Sequence, residues 1–348
     1  MQKGKFRTHI LHPITAGLLA GAATLLLPLF AMGKNRTTAE PPQLLPSPAP
    51  TETAPLSPQP TELSTGWDES QTVCILLEEG GTEEMTMAEY LWRVVAAEMP
   101  ASFESEALRA QAVCARTYTL WKRSAGSHSA DGADLCDRST CCQAYITHSE
   151  AEAKWEDLAD VYTARIANAV ADTDGQILTY NGTPIQAVFF SSSTDLTEDA
   201  AAVWGSSVPY LQTVSSPEGE EVPNYRSTVT LTAAQLKSQI SAAGLGANLS
   251  GDPSQWITQI SYTASGRVSS LRLGGVSLSG AAARSLFGLR SACFEVEEQN
   301  GIFTFRVTGY GHGVGMSQYG ANAMAAGGKQ WEEIVTHYFT GVAIENLS

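Results

Sequence analysis

Eight prolines between residues 41 and 60 decide where this chain can fold and where it cannot. Pro41, Pro42, Pro46, Pro48, Pro50, Pro55, Pro58 and Pro60 are interleaved with Ser, Thr and Glu, and apolar residues are sparse. Such a segment buries too little surface to offset the entropy of ordering it, and its prolines keep it extended. Residues 37–66 therefore read as a semi-rigid spacer, the core of a linker over 33–70. Ahead of it, residues 14–32 carry no charge and follow Lys3, Lys5 and Arg7. Nineteen helical residues span about 29 Å, close to the hydrocarbon thickness of a bilayer. A cleaved signal peptide ending at Ala31-Met-Gly33 competes with this reading. The length of the apolar run favours a retained single-span anchor, with residues 1–13 on the cytoplasmic side. Either way residues 71–348 are expected outside the membrane as one folded domain, opening on the apolar run Gln71–Leu77.

Charge narrows the partners. Of 348 residues, 21 are Lys or Arg and 36 are Asp or Glu. Five of the basic residues and none of the acids lie in residues 1–36, so the exported part carries 16 basic against 36 acidic residues, a formal charge of −20. That excludes nucleic acid and a basic lipid-binding patch.

The folded part starts with two helices, 86–98 and 104–123, broken at Met99-Pro-Ala-Ser-Phe103. Thr86 and Glu89 form a capping-box pattern at the start of the first. On a 3.6-residue wheel Met87, Leu91, Val94 and Val95 share one stripe, and Glu98 falls inside it. A carboxylate held against apolar surface has its charged form disfavoured, which suits a general acid near neutral pH. A Glu turning outward at a frayed last turn is the alternative. In the second helix Leu108, Ala112, Ala115 and Thr119 make a close-packing stripe. Arg109 and Arg116 recur seven apart, either on a solvated face or as cations beside Glu98. Helices follow near 149–155 and 160–172, then strands at 176–180 and 185–190 around Asn181-Gly182. A smaller α/β lobe is expected at about 228–300. It has a helix at 230–241, strands at 257–264 and 268–273, a helix at 279–287 and a hairpin of 292–297 with 302–308. Helices at 317 onward and 331–338 close the chain. Helices mixed with antiparallel hairpins, without βαβ regularity, indicate an α+β fold.

Three motifs carry chemistry. Cys136, Cys141 and Cys142 follow His128 in a polar loop. In an exported chain disulfides are the default, but adjacent cysteines rarely pair with each other, so one thiol is left over. One His and three thiolates also make the ligand set of a closed, structural zinc site. Cys74, Cys114 and Cys293 read as buried small hydrophobes. The run Gly309-Tyr-Gly-His-Gly-Val-Gly315 places glycine at alternate positions, which lets backbone approach a ligand closely or turn a tight corner. His312, Gln318 and Tyr319 would then face a hydroxyl-rich ligand. Ser191-Ser-Ser-Thr-Asp-Leu-Thr-Glu198 is a hydroxyl-rich loop that could line a groove.

Taken together, Ala96-Ala-Glu-Met-Pro100, Glu106–Val113 with Ala115-Arg-Thr-Tyr118, Val203-Trp-Gly205, Val208-Pro-Tyr-Leu211, Ser265-Gly-Arg-Val268 and Gly311–Ala321 resemble the stage II sporulation protein D family, in that family's order and across roughly residues 70–345. The resemblance implies a membrane-bound lytic transglycosylase that cuts peptidoglycan glycan strands during forespore engulfment, with Glu98 as its catalytic acid. It implies substrate contacts at Arg116 and Tyr210, which join Ser191 and Ser192 of the hydroxyl loop and His312, Gln318 and Tyr319 of the glycine run as expected substrate-binding residues. It implies zinc on His128, Cys136, Cys141 and Cys142, although a His can stand at the position of Cys141. It also implies work beside stage II sporulation proteins P, an amidase and endopeptidase, and M, a membrane organiser. Two positions depart from the family pattern: Asp195-Leu196 stands where Gly-Gly is usual, and Gln212 where Lys is common. A non-catalytic, amidase-enhancing wall-binding module of the same superfamily is the alternative.

Overall fold

The computed structural model describes residues 66–348, so the expected anchor and most of the linker lie outside the described residues. Among these no helix is long and apolar enough to cross a membrane. The fold is α+β: helices and small, mostly antiparallel sheets built around two hydrophobic cores.

The larger core belongs to a body made of both ends of the folded chain. A four-residue helix α1 (Trp67–Ser70) leads into β1 (Thr72–Leu76), which pairs antiparallel with β2 (Thr82–Thr86). The expected linker therefore ends earlier than residue 70. Asp174 accepts the backbone N–H groups of Trp67 and Asp68 at 2.8 Å each, which ties α1 to the body. Helix α2 (Met87–Glu98) begins where Thr86 accepts the Glu89 N–H. The capping box is only half made, because the Glu89 carboxylate turns to Arg93 and His148 instead. Met87, Leu91, Val94 and Val95 are fully buried, each contributing roughly 1.5–3 kcal/mol. Pro100 cannot continue the helix, and Met99 is already extended at φ −122°. Helix α3 (Ser105–Ala125) then packs its Leu108, Ala112, Ala115 and Thr119 stripe inward and ends on left-handed Gly126.

Short β3 (Leu135–Cys136) runs parallel to β1. After it come α4 (His148–Trp155), α5 (Ala159–Ala171), and β4 (Gln176–Tyr180) with β5 (Thr183–Pro184). The expected strand at 185–190 survives only as β6 (Phe189–Phe190), because the chain turns tightly through Ile185–Val188. Helix α6 (Ala200–Trp204) ends this half of the body.

The lobe has its own core. Strand β7 (Arg226–Thr232) runs straight into α7 (Ala233–Ala242), so residues 230–232, expected as helix, are strand. Strands β8 (Ile257–Tyr262), β9 (Val268–Leu273) and β10 (Val276–Ser279) make one antiparallel sheet, followed by α8 (Gly280–Phe287). Strands β11 (Phe294–Gln299) and β12 (Ile302–Thr308) join β7 in the other. Leu236, Leu271, Phe287, Phe303 and Phe305 fill the space between.

The chain then returns to the body through the glycine run. It adds β13 (Met316–Ser317) parallel to β6, α9 (Gln318–Ala326), α10 (Trp331–Tyr338) and β14 (Ala343–Asn346) beside β4.

Candidate active site

Glu98 ends α2 at the corner of the helical hairpin, half-buried, with its flanking stripe wholly inside. Its Oε1 accepts the backbone N–H of Ala144 at 2.8 Å. Its Oε2 accepts from no described residue. Burial raises its pKa above the ordinary 4.5, and the Ala144 hydrogen bond offsets part of that rise. One oxygen is thus fixed, and the other is left to carry a proton. That is the geometry a general acid needs.

Ala144 is delivered by the cysteine loop. His128 Nε2 lies 3.5 Å from Cys141 Sγ and 3.4 Å from Cys142 Sγ, and Cys136 Sγ is 3.6 Å from Cys142 Sγ. All four ligand atoms fall within 4.8 Å of one another, and all the cysteines are unbridged. Zinc–sulfur bonds of about 2.3 Å put tetrahedral thiolates about 3.8 Å apart, and a ring nitrogen about 3.5 Å from each. The residues present fit such an ion. Gln143, between the ligands and Ala144, donates to Tyr90 and Thr119 at 3.3 Å each, seating the loop on α2 and α3.

The corner also meets the end of the glycine run. The Tyr319 ring packs edge-on against Phe103 at 4.9 Å, and Asn322 accepts the Glu104 N–H at 2.8 Å. Tyr319 N–H in turn donates to the Ser191 carbonyl at 3.0 Å. Tyr319 is therefore brought to the hairpin corner that Glu98 opens, and Ser191 is joined to it through the Tyr319 backbone; both are half-buried.

Other expected contacts go elsewhere. Arg116 has no exposed surface and grips Asp68 with two nitrogens, at 2.8 and 2.5 Å. It also donates to the carbonyls of Gln176 and Val170. It is a strut tying α1 to α3 and not a substrate contact. Its neighbour on the helix, Arg109, pairs with Glu106 and Asp172, so neither arginine supplies a cation to Glu98. Ser192 is buried, its backbone bridged to Tyr310, and Gln318 is buried and donates to Gln111. Both are interior residues. Tyr210 is half-buried, its hydroxyl accepting the Gln186 N–H at 3.0 Å. His312 sits at the seam with the lobe, its Nδ1 accepting the Val314 N–H at 3.1 Å. Burial and the nearby Arg284 push its pKa down to about 4, so it is neutral at pH 7.

The glycines at 309, 311, 313 and 315 all have positive φ. A Cβ at Gly311 would sit 2.7 Å from Phe190 Cβ, and one at Gly315 would sit 2.2 Å from the Val188 carbonyl oxygen. Their close approach is to the protein's own segment 188–194, except at Gly313, which lies against Arg267. The expectation that they approach a ligand is replaced by the tight corner.

A family model described as stage II sporulation protein, SpoIID, matches residues 78–180, the stretch that holds Glu98 and the His/Cys cluster. Stage II sporulation protein D of Bacillus subtilis (strain 168) is 41% identical over 266 residues, which cover 75% of this chain and 75% of that protein. The chain belongs to the stage II sporulation protein D family. The family's protein from Bacillus amyloliquefaciens is 40% identical over 264 residues, with 75% of each chain covered. The amidase enhancer of Bacillus subtilis is 29% identical over 303 residues, 72% of this chain but 39% of that protein. Sequence reasoning missed Asp68, Gln111 and Ala144 as partners of the expected site residues. Asp68 lay in what read as linker, and a backbone donor such as Ala144 leaves no side-chain signal.

Proposed function

We propose that this member of the family is a peptidoglycan lytic transglycosylase acting in sporulation, with Glu98 as general acid and base. The observation that carries the reading is the one-sided holding of the Glu98 carboxyl: Oε1 on the Ala144 N–H, Oε2 free, the proton favoured by burial. Ordinary glycosidases need two carboxyl groups, one to protonate the leaving oxygen and one to attack or to activate water. In a transglycosylase the C6 hydroxyl of the muramic sugar is the nucleophile, so one suffices. Glu98 Oε2 gives its proton to the glycosidic oxygen as the bond to C1 breaks. The C6 oxygen closes on C1, and its proton passes to the carboxylate, restoring the acid. No redox partner and no water enter the balance.

His128, Cys136, Cys141 and Cys142 would hold zinc as a closed structural site. When bound, the ion supplies rigidity to the loop whose next residues are Gln143 and Ala144, and so holds the donor to Glu98 in place. We further propose a membrane-tethered, extracytoplasmic setting, beside the family's partner proteins P and M.

Peptide-free glycan strands digested by the purified full chain test the function. Mass spectrometry should show 1,6-anhydro-muramic ends, and none with Glu98→Gln. Reducing-end products, or anhydro products that survive Glu98→Gln, defeat the reading. The amidase-enhancing alternative has one observation in its favour, the 29% identity to a protein of that name. It predicts glycan binding with no cleavage at all.

A further inference from the structure

Positive charge is scarce in this chain, and six arginines among the described residues pair with carboxylates. Arg267, Arg284 and Arg290 do not, yet they converge on one place, the seam between lobe and body. Arg267 and Arg284 line a pocket of about 30 Å³ together with Glu198, Thr263 and His312. Arg284 and Arg290 line the adjoining, more open cleft of about 390 Å³, with Tyr310.

Arg267 is 2% exposed. Its Nη1 donates to the Leu196 carbonyl at 2.9 Å and to Ser265 Oγ at 3.0 Å, but its buried Nε has no hydrogen-bond partner among the described residues. Gly313 is required beneath it, since a Cβ there would sit 2.6 Å from that nitrogen. Glu198 is the one acid in the wall, and it is already engaged. Its Oε2 takes the hydroxyls of Thr263 and Ser265 at 2.6 Å each, and its Oε1 takes the Asp199 N–H at 3.1 Å. His312 is neutral. The seam therefore gathers three guanidinium groups that no carboxylate pairs: Glu198 is saturated, and Glu218, the next nearest acid to Arg267, is held by Ser193, Ser216 and Ser317. A buried guanidinium is costly unless an anion completes it.

The rim is aromatic and open. Trp204 is 42% exposed and Tyr310 41% exposed, two of the six large apolar side chains that reach the surface among the described residues. The Trp204 ring lies 5.7 Å from His312, and Arg290 Cζ sits 4.0 Å from the Tyr310 ring centroid. Exposed rings offer flat apolar faces with a polar surround, the surface a sugar ring can lie on. Arginines beside them offer a fork for a carboxylate.

We propose that this cleft is an acidic-saccharide subsite, in which Arg284 and Arg290, backed by Arg267, take a carboxylate while Trp204 and Tyr310 carry the sugar rings. The glycan-strand reading supplies only the identity of the sugar; the subsite needs no chemistry at Glu98. On a peptidoglycan strand the carboxylate is either the lactyl group of a peptide-free muramic sugar or the acid of a stem peptide. His312 and Tyr319 are seven residues apart, so the cleft lies at most about 25 Å of chain from the residue that meets the Glu98 corner. One polymer can engage both.

The test is calorimetric titration of the full chain carrying Glu98→Gln, which removes turnover. The probes are peptide-free glycan strands, peptide-bearing strands, and chito-oligosaccharides of equal length that lack the lactyl acid. Adding Arg284→Gln with Arg290→Gln should weaken binding of an acidic strand about tenfold or more, and change chito-oligosaccharide binding less than twofold. Trp204→Ala should weaken all three. Arginine dependence confined to peptide-bearing strands assigns the carboxylate to the stem, and dependence on peptide-free strands assigns it to the lactyl group. Equal losses on the neutral oligosaccharide, or no loss on either acidic strand, overturn the proposal. If the double variant melts early, Arg290→Gln alone and the salt dependence of the unsubstituted arginines give the same discrimination. Absence of anhydro products from wild type, with arginine-dependent binding intact, would remove the transglycosylase reading and leave the subsite standing.

Discussion

Glu98 and Glu218 are both acids withdrawn from water, and they are held in opposite ways. Glu218 is 2% exposed and surrounded by donors. Its Oε1 accepts the Ser193 N–H at 2.6 Å and the Ser317 hydroxyl, and its Oε2 accepts the Ser216 hydroxyl at 2.6 Å. Ser216 in turn lies 2.8 Å from the Tyr338 hydroxyl. The carboxylate thereby ties the hydroxyl loop, the glycine run and α10 into one unit. Glu98 has one backbone donor and an idle oxygen. A buried acid saturated with donors is a structural hub. A buried acid left short of donors favours its proton, and that shortage is the mark of function here.

The strongest test of this contrast removes the carboxylate at each site and reads both rate and stability. Glu98→Gln should lower the rate of strand cleavage by about 10²–10⁴-fold, equivalent to about 3–5 kcal/mol of barrier. Denaturant unfolding of that variant should show no loss of stability, because the amide oxygen still accepts from Ala144. Glu218→Ala should do the reverse. It leaves a buried N–H and two hydroxyls without their acceptor and should lower stability by about 3 kcal/mol, seen as a lower denaturation midpoint. If Glu98→Gln is the more destabilising of the two, the distinction between hub and acid collapses.

A smaller effect tests whether the idle oxygen of Glu98 depends on the cysteine loop. Cys142→Ser removes one expected zinc ligand two residues from Ala144. Cleavage should fall about 10–100-fold with little change in the affinity for strands, as loss of a supporting shell does. Metal analysis should return well under one equivalent, and helical circular dichroism should be unchanged. Full activity in a zinc-free protein would detach the loop from Glu98.

What the sequence made legible follows the same division between local and distant causes. Helix α2, strand β9 and helix α10 lay where periodicity, caps and Pro100 put them, because those signals are contained within each segment. Strand β7 was misread although Thr-Val-Thr-Leu-Thr alternates and Thr232 with Gln235 completes a capping box one turn later than expected. Its β-branched run becomes a strand only against Ile302–Thr308, some 75 residues on. Strand β2 is acidic, Thr-Glu-Glu-Met-Thr, and has no signal apart from its partner β1. At the site, Glu98 was readable from its own helix. Arg116 was not, since its partner Asp68 lies 48 residues earlier, inside the supposed linker. The glycine run announced positive φ but not that its crowding neighbours would be residues 188–194 and Arg267. The arginine seam was invisible for the same reason: three residues drawn from separate elements share no spacing.

The smallest expected effect sharpens the comparison most, because it isolates the charge of Glu98. Its folded pKa is raised above the ordinary 4.5 by burial. Between that ordinary value and the raised one, the folded state holds a proton that the unfolded state has released. Stability therefore falls as pH rises through this window and stays lower above it. Glu98→Gln carries no such proton. At a pH below the ordinary value, wild type and variant should melt together. Above the raised value the variant should be the more stable of the two, with the higher melting temperature. Thermal melts at pH 4 and pH 8 measure the difference. A variant that is less stable than wild type at pH 8 would mean that the Glu98 charge is stabilised in the fold, as a hub's would be, and the acid would lose its claim to a proton.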